Sequence, residues 1–246
     1  MRVLVVVPTY NERGNLPELL AGITSHDGTG ALIVDDASPD GTGAIADEWA
    51  ARMPERVSVL HRTGPRGLGR AYVDGLTRAL ETGVPLICQM DADLSHDPKY
   101  LPDLIAALDD ADLAIGSRYL NGISVVNWPL RRIALSMFAN RYIRTITGLS
   151  VRDCTSGYRC WRRETLARVP LERTAANGYA FLTEMLFHAA AGGARITERP
   201  IVFVERREGV SKLDGGVLAE SMLTPLRLTA SRGRVRNATR PHSSNP

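Results

Sequence analysis

The sequence predicts an α/β domain, a mostly parallel sheet with helices on both faces. Three observations point there. Short β-branched, apolar runs recur through the first 118 residues, amphipathic stretches of helical period separate them, and polar residues follow most runs. At 246 residues with 44% hydrophobic content, the chain can bury one sizeable core.

The elements follow in order. "VLVVV" (3–7) is the first strand, and Pro8, which cannot donate to a ladder, is expected to end it. "NLPELLAGI" (15–23) has helical spacing. "ALIVDD" (31–36) is a second strand, followed by a helix through "GAIADEWAARM" (43–53). "VSVLH" (57–61), a helix over 70–81, and the run "VPLICQM" (84–90) continue the alternation. A helix over 100–108 and the strand "DLAIGS" (112–117) complete it. Ligands of such sheets bind beyond the carboxyl ends of the strands, so "PTYNE", "DDASPDGT" and "DADLSH" should gather along one edge.

Beyond residue 118 the pattern weakens. An arginine-studded helix is expected over 129–148, another helix over 179–193, a strand over 195–205, and a short amphipathic helix over 215–228 broken near Pro225. The polar, basic tail after it is expected to be disordered. Cys88, Cys154 and Cys160 are odd in number and lack CxxC spacing, so neither a disulfide framework nor a zinc site is expected, and Cys88 reads as core. Val3–Val7 is too short for a signal-peptide core, and no run nears the roughly 18 apolar residues that span a bilayer. A cytosolic chain with only peripheral membrane contact is the expectation.

Charge is divided unevenly. Residues 1–118 hold 10 Lys+Arg against 18 Asp+Glu, a net −8, whereas residues 119–246 hold 20 against 9, a net +11. A basic second half suits an anionic partner such as a phosphate or a membrane surface, although arginine is this chain's default cation: Lys99 and Lys212 are the only lysines. Nucleic acid is disfavoured because no recognisable binding module is present.

Several short stretches carry candidate chemistry. In "QMDADLSHDP" (89–98), an extended chain would point Asp91 and Asp93 the same way, toward one hard divalent ion such as Mg2+ or Mn2+; a solvated turn with a helix cap is the plainer reading. In "VVPTYNE", Tyr10 offers a ring for a base and Glu12 an acceptor. Asp36, at a strand's carboxyl end, could accept from a base or ribose, with Asp35 turned into the fold. "GPRGLG" (64–69) has the wrong order for a dinucleotide or P-loop fingerprint. Arg118 follows a strand, and Arg132 and Ser136 share a helix face at i, i+4, a fork plus hydroxyl that suits a phosphate monoester. Arg206, Arg207 and Lys212 cluster around Gly209 in a cationic loop.

Together "VVPTYNE", "IVDDASPDGT", "GLGRAY", "MDADLSHDP", "GSRY", "WPLRR…S…AN" and "GVSKL" resemble, in order, the inverting family 2 glycosyltransferases of GT-A (Rossmann-like) fold, most closely the polyprenol (dolichol) phosphate mannosyltransferases. The resemblance covers about residues 2–215. It implies a glycosyltransferase domain over 1–215, with a donor-nucleotide half (1–118) and an acceptor half (119–215), followed by a tail segment (216–246). It implies GDP-mannose as donor, a polyprenyl phosphate as acceptor, and a dependence on Mg2+ or Mn2+. Pro8, Tyr10, Glu12, Val34 and Asp36 would surround the nucleoside, and Asp91, Ala92 and Asp93 would hold the diphosphate and metal. Ser95 stands where some relatives carry glutamine and would be a shorter metal-side ligand. Arg118, Arg132 and Ser136 would grip the acceptor phosphate and, with Asp93, form the catalytic set; Arg206 and Lys212 would lie near the donor. Lacking the C-terminal transmembrane helices of some relatives, the chain would dock peripherally on the cytoplasmic membrane face through its arginine-rich helices, the 215–228 segment or a separate anchoring protein. The alternatives are a UDP-glucose-dependent enzyme of the same fold and a catalytically inactive nucleotide-sugar-binding subunit. A glycosidase would want its carboxylates about 5–9.5 Å apart around a sugar.

Overall fold

The computed structural model describes residues 1–173, 180–205 and 215–232. The first half alternates as expected: β1 (Val3–Thr9), α1 (Leu16–Thr24), β2 (Thr29–Asp35), α2 (Thr42–Arg52), β3 (Val57–His61), α3 (Leu68–Glu81), β4 (Leu86–Gln89), α4 (Leu101–Ala106) and β5 (Leu113–Ser117). Then come β6 (Val125–Val126), α5 (Leu130–Thr147), β7 (Arg159–Arg162), α6 (Arg163–Leu166), α7 (Ala180–Ala191), β8 (Ile196–Pro200), β9 (Phe203–Val204) and α8 (Gly215–Arg232).

Among the described residues seven strands form one sheet in the order β3-β2-β1-β4-β7-β5-β8, with β7 antiparallel to both its neighbours and every other pair parallel. β6 and β9 make a separate two-stranded parallel pair. Strand alternation gives the sheet two dry faces. Leu4, Val6, Leu32, Val34, Ile87 and Trp161 pack on α3 and α7, while Val3, Val5, Val7, Ile33 and Cys88 pack on α1 and α4. At Gly75 of α3 an added Cβ would lie 2.6 Å from both Val34 and Val6, so only glycine lets this helix sit so close to the sheet.

The chain runs outward from β1 to β2 and β3, then returns to β4 on the other side of β1. That reversal opens a crevice at the carboxyl ends of β1 and β4, the usual ligand position in such sheets. "PTYNE" and "DADLSH" both begin there.

Several expectations are corrected. Pro8 does not end β1: it pairs with Val34, and Thr9 with Asp35. The proline's missing donor faces β4, where the register stops at Val6–Gln89, so nothing is lost. The 195–205 stretch is not one strand. It bends after Pro200, where the Ile201 N–H donates to the Ser117 carbonyl, and its end joins β6. α8 is not broken at Pro225 but continues for 18 residues. Packing against α5 and α7, with Tyr142 Oη donating to the Met222 carbonyl at 2.8 Å, offsets the lost donor. Finally, Cys88 and Cys160 face each other across the β4–β7 register and form a disulfide, both fully buried. β7 has the sequence RCWR, too polar to read as a central strand, so this partnership across 72 residues had no sequence signal. Residues 206–214 and 233–246, and with them Arg206, Lys212 and the basic tail, lie outside the described residues.

Candidate active site

β4 stops at Gln89, so Asp91 lies just past the strand and Asp93 on the bend over 92–96, rather than both on one extended stretch. Leu94, in a left-handed conformation (φ 60°), turns that bend. The Asp91 carboxylate accepts from Tyr72 Oη at 2.7 Å, and its backbone N–H donates to His96 Nδ1 at 3.1 Å. Because Nδ1 is the acceptor, the His96 ring carries its proton on Nε2. This buried ring is stacked on Tyr158 and met edge-on by Phe203, which fixes its plane. Asp93 accepts from the Ser95 backbone N–H at 3.1 Å and from the Ser95 hydroxyl. Ser95 therefore spends its proton on Asp93 and braces that carboxylate. Ala92 between them is buried.

Among the described residues no group of three or more His, Cys, Asp or Glu forms a ready-made metal cage. Two carboxylates at an open edge, leaving the rest of the shell to water and phosphate oxygens, are the donor set Mg2+ or Mn2+ commonly uses with nucleotide substrates. Asp91 and Asp93 fit that role.

Across the crevice, β1 and β2 deliver the expected nucleoside residues, with differences. Asp36 is buried and already engaged: Arg62 Nη1 donates to one oxygen and the Gly67 N–H to the other at 2.8 Å. The carboxylate thereby ties "GPRGLG" and the start of α3 to the end of β2. Asp35, turned inward as expected, accepts from Thr9 and Ser38. Tyr10 carries the Arg66 guanidinium over its ring at 4.8 Å, so one face of the ring is already covered. Glu12 accepts from Asn15 Nδ2 at 2.8 Å, and its N–H donates to Thr42. Pro8 and Val34 are wholly inside the sheet, and the Val34 side chain points at Gly75. Its side chain cannot touch a nucleoside at the edge, because α3 covers it.

The acceptor candidates do converge. Arg118 is buried and donates from Nε and Nη2 to both oxygens of Asp153, and further to Thr155. Its guanidinium lies 5.5 Å from the ring centroids of Tyr119, Trp128 and Phe203. Burial works against the Arg118 charge, but Asp153, with a smaller contribution from Asp91, outweighs it and raises the pKa above the ordinary value. Burial likewise opposes the Asp153 charge, and Arg118 overcomes it, so this carboxyl stays below the usual range. Arg132 stacks on the same Trp128 ring at 4.1 Å and pairs with Glu205. Ser136 accepts from Tyr119 Oη at 2.7 Å. Burial raises the pKa of this tyrosine, which remains a neutral donor.

Sequence reading missed Tyr72, His96, Trp128, Asp153 and Glu205. Each lies in or beside a quoted motif or in a region of weak periodicity, and only the pairing across the fold gives it a task. Arg159, fully buried, donates its guanidinium to the carbonyls of Cys154, Ser156 and Leu182, and so ties the Asp153 loop to α7; burial drops its pKa to about 10.

A sequence profile of glycosyl transferase family 2 matches residues 4–169. The chain is 46% identical to the polyprenol monophosphomannose synthase of Mycolicibacterium smegmatis over 244 residues, covering 96% of this chain and 92% of that protein. It is 46% identical over 228 residues to the undecaprenyl-phosphate mannosyltransferase of Micrococcus luteus, covering 92% and 93%. Among solved structures, glucosyl-3-phosphoglycerate synthase from Mycobacterium tuberculosis, with Mn2+, UDP-glucose and phosphoglyceric acid bound, superposes with a TM-score of 0.66 at 19% identity, covering 96% of this chain and 81% of that one. That likeness speaks to the fold.

Proposed function

The chain belongs to glycosyl transferase family 2, and from that premise we propose that it transfers mannose from GDP-mannose to a polyprenyl phosphate, with inversion, giving polyprenyl phosphate β-mannose. The observation that supports this reading most directly is the meeting of Arg118 and Arg132 on Trp128, with Asp91 close enough to add to the field on Arg118. A platform that presents the partly exposed Arg132 thus borders a carboxylate pair suited to a metal-bound diphosphate.

The chemistry asks little of the protein beyond placement. By analogy with phosphorylated side chains, whose second pKa is about 6, a phosphate monoester is largely dianionic near neutral pH, so its oxygen attacks the sugar's anomeric carbon without a general base. The bond from that carbon to the donor's diphosphate breaks as the new one forms on the opposite face. Asp91 and Asp93 would hold the divalent ion, Mg2+ or Mn2+, which when bound supplies positive charge to the leaving diphosphate. Tyr72, His96 and Ser95 keep the two carboxylates in place. Arg132 orients the acceptor phosphate for in-line attack, on a platform set by Trp128 and the buried Arg118. Arg206 and Lys212 are assigned to the donor side from the motif alone.

A lipid acceptor also accounts for exposed apolar side chains beside this platform. Leu130, Leu135, Met137 and Phe138 of α5 and Met222, Leu223 and Leu226 of the adjoining α8 are open to solvent, an arrangement suited to resting on a bilayer surface. No helix among the described residues is long and apolar enough to cross a membrane.

The deciding experiment incubates purified protein with radiolabelled GDP-mannose, GDP- and UDP-sugar competitors, and a polyprenyl phosphate, with and without EDTA. Metal-dependent label in the lipid fraction, competed by GDP-mannose, is expected. Transfer from UDP-glucose alone, or undiminished transfer in EDTA, overturns the reading.

A further inference from the structure

The two arginines at Trp128 differ in how their charge is neutralised. Asp153 is wholly buried and holds Arg118 through two oxygens. Glu205 touches Arg132 through one oxygen, and both side chains remain partly open, 32% and 23% exposed. Pairs of the first kind are not exchanged for a solute, because parting them leaves a bare buried charge; pairs of the second kind contribute little to stability. The Glu205 backbone is fixed by its N–H donating to the Val126 carbonyl, at the end of the small β6–β9 pair, so only the side chain needs to move. Beside it lies a cavity of about 400 Å³, lined by Glu205 together with Asp93, Ser95 and Val204, which gives a displaced carboxylate somewhere to go.

We infer that Glu205 is a built-in counter-anion on Arg132 and sets which acceptors bind. The inference rests on the reading of Arg132 as an acceptor-phosphate residue. Without ligand, each of these two arginines faces one carboxylate, so Arg132 itself offers little net pull to a weak monoanion. A phosphate dianion carries more charge and three strong acceptor oxygens, and it displaces the single-oxygen Glu205 contact. Glu205 thereby sets a threshold that every anion using Arg132 must overcome, and a phosphate monoester, with more charge and more acceptor oxygens, clears it where a carboxylate at the same concentration does not.

The test uses the full chain, GDP-mannose and a short, water-soluble isoprenyl phosphate. Glu205→Gln keeps the side chain's size and removes its charge. Its KM for the isoprenyl phosphate should fall about fivefold, with KM for GDP-mannose unchanged, and inhibition by acetate or inorganic phosphate should strengthen. In an Arg132→Ala background the same change should have no effect on the acceptor KM, which a general packing role would not reproduce. Glu205→Asp, which retains the charge on a shorter arm, should fall between and serves if the glutamine variant proves unstable. An unchanged or raised acceptor KM in active Glu205→Gln protein overturns the inference and leaves the proposed reaction standing. A wild-type enzyme that transfers no mannose to any isoprenyl phosphate overturns the reading beneath it.

Discussion

The Arg118 guanidinium donates from Nε and Nη2 to the two carboxylate oxygens of Asp153, each at 2.7 Å, in a pocket closed to solvent. Arg118 is therefore less a free hand for phosphate than the fixed underside of the acceptor platform. It neutralises Asp153 and carries Trp128, Phe203 and Tyr119 around its plane.

Breaking that pair leaves an uncompensated buried cation. Asp153→Ala should lower unfolding stability by about 3–5 kcal/mol, measured by chemical denaturation near neutral pH. The pH dependence has a definite sign. The folded Asp153 pKa lies below its unfolded value, so its contribution is complete above about pH 4, the ordinary carboxyl value, and is lost as pH falls through the folded pKa. Acid unfolding of the wild type should steepen below about pH 4, and Asp153→Asn should flatten that limb.

Asp93→Ala should abolish turnover while leaving the circular dichroism spectrum near that of the parent, since the residue lies on a bend outside the sheet; the loss of the acceptor for buried Ser95 should cost about 1–3 kcal/mol. Near-normal rates would remove its metal role.

Tyr72 donates to Asp91 from a buried position, with its ring stacked on Phe181. Tyr72→Phe keeps the stack and removes one hydrogen bond to a charged group. About a tenfold fall in kcat/KM is expected, with more Mn2+ needed for half-maximal rate, as read from metal titrations. Unchanged metal dependence would show that Asp91 holds its position unaided.

Arg132→Ala should raise the KM for the lipid phosphate about tenfold or more, with little change in GDP-mannose binding measured by calorimetry. Equal losses on both substrates would indicate a disturbed fold.

Gly75→Ala places a methyl 2.6 Å from Val34 and Val6, deep beneath α3. The expected cost is about 1–3 kcal/mol of stability. A neutral thermal melt would mean that α3 can lift off the sheet.

Much of the scaffold was legible because it is written locally. Val3–Val7 and Ala31–Val34 announce buried strands by their apolar, β-branched runs, and residues 70–81 announce a helix by their period. β7 escaped because it is polar in sequence and buried by its place: Arg159 donates to the Leu182 carbonyl and Arg162 to that of Ala111, both brought from elsewhere in the fold. The break read at Pro225 failed because helix packing, which a local reading does not see, outweighed one missing donor.

At the candidate site the same division holds. Asp91, Asp93, Ser95, Arg118, Arg132 and Ser136 could be named from motifs, whereas the partners that come from distant segments could not. Asp36 meets Arg62 across 26 residues, Arg118 meets Asp153 across 35, and Arg132 meets Glu205 across 73.

What the sequence by itself determined was the alternation that builds the sheet, the edge at which the polar motifs collect, and the family to which those motifs belong. What only the tertiary structure decided was the state of each charge at that edge: which carboxylate is braced, which arginine is paired in a buried setting, and which is held by a partly exposed carboxylate. Hydrophobic period and turn chemistry act between near neighbours in the chain. The worth of a charge is fixed by burial and by the group opposite it, and both are set only once distant segments have packed together.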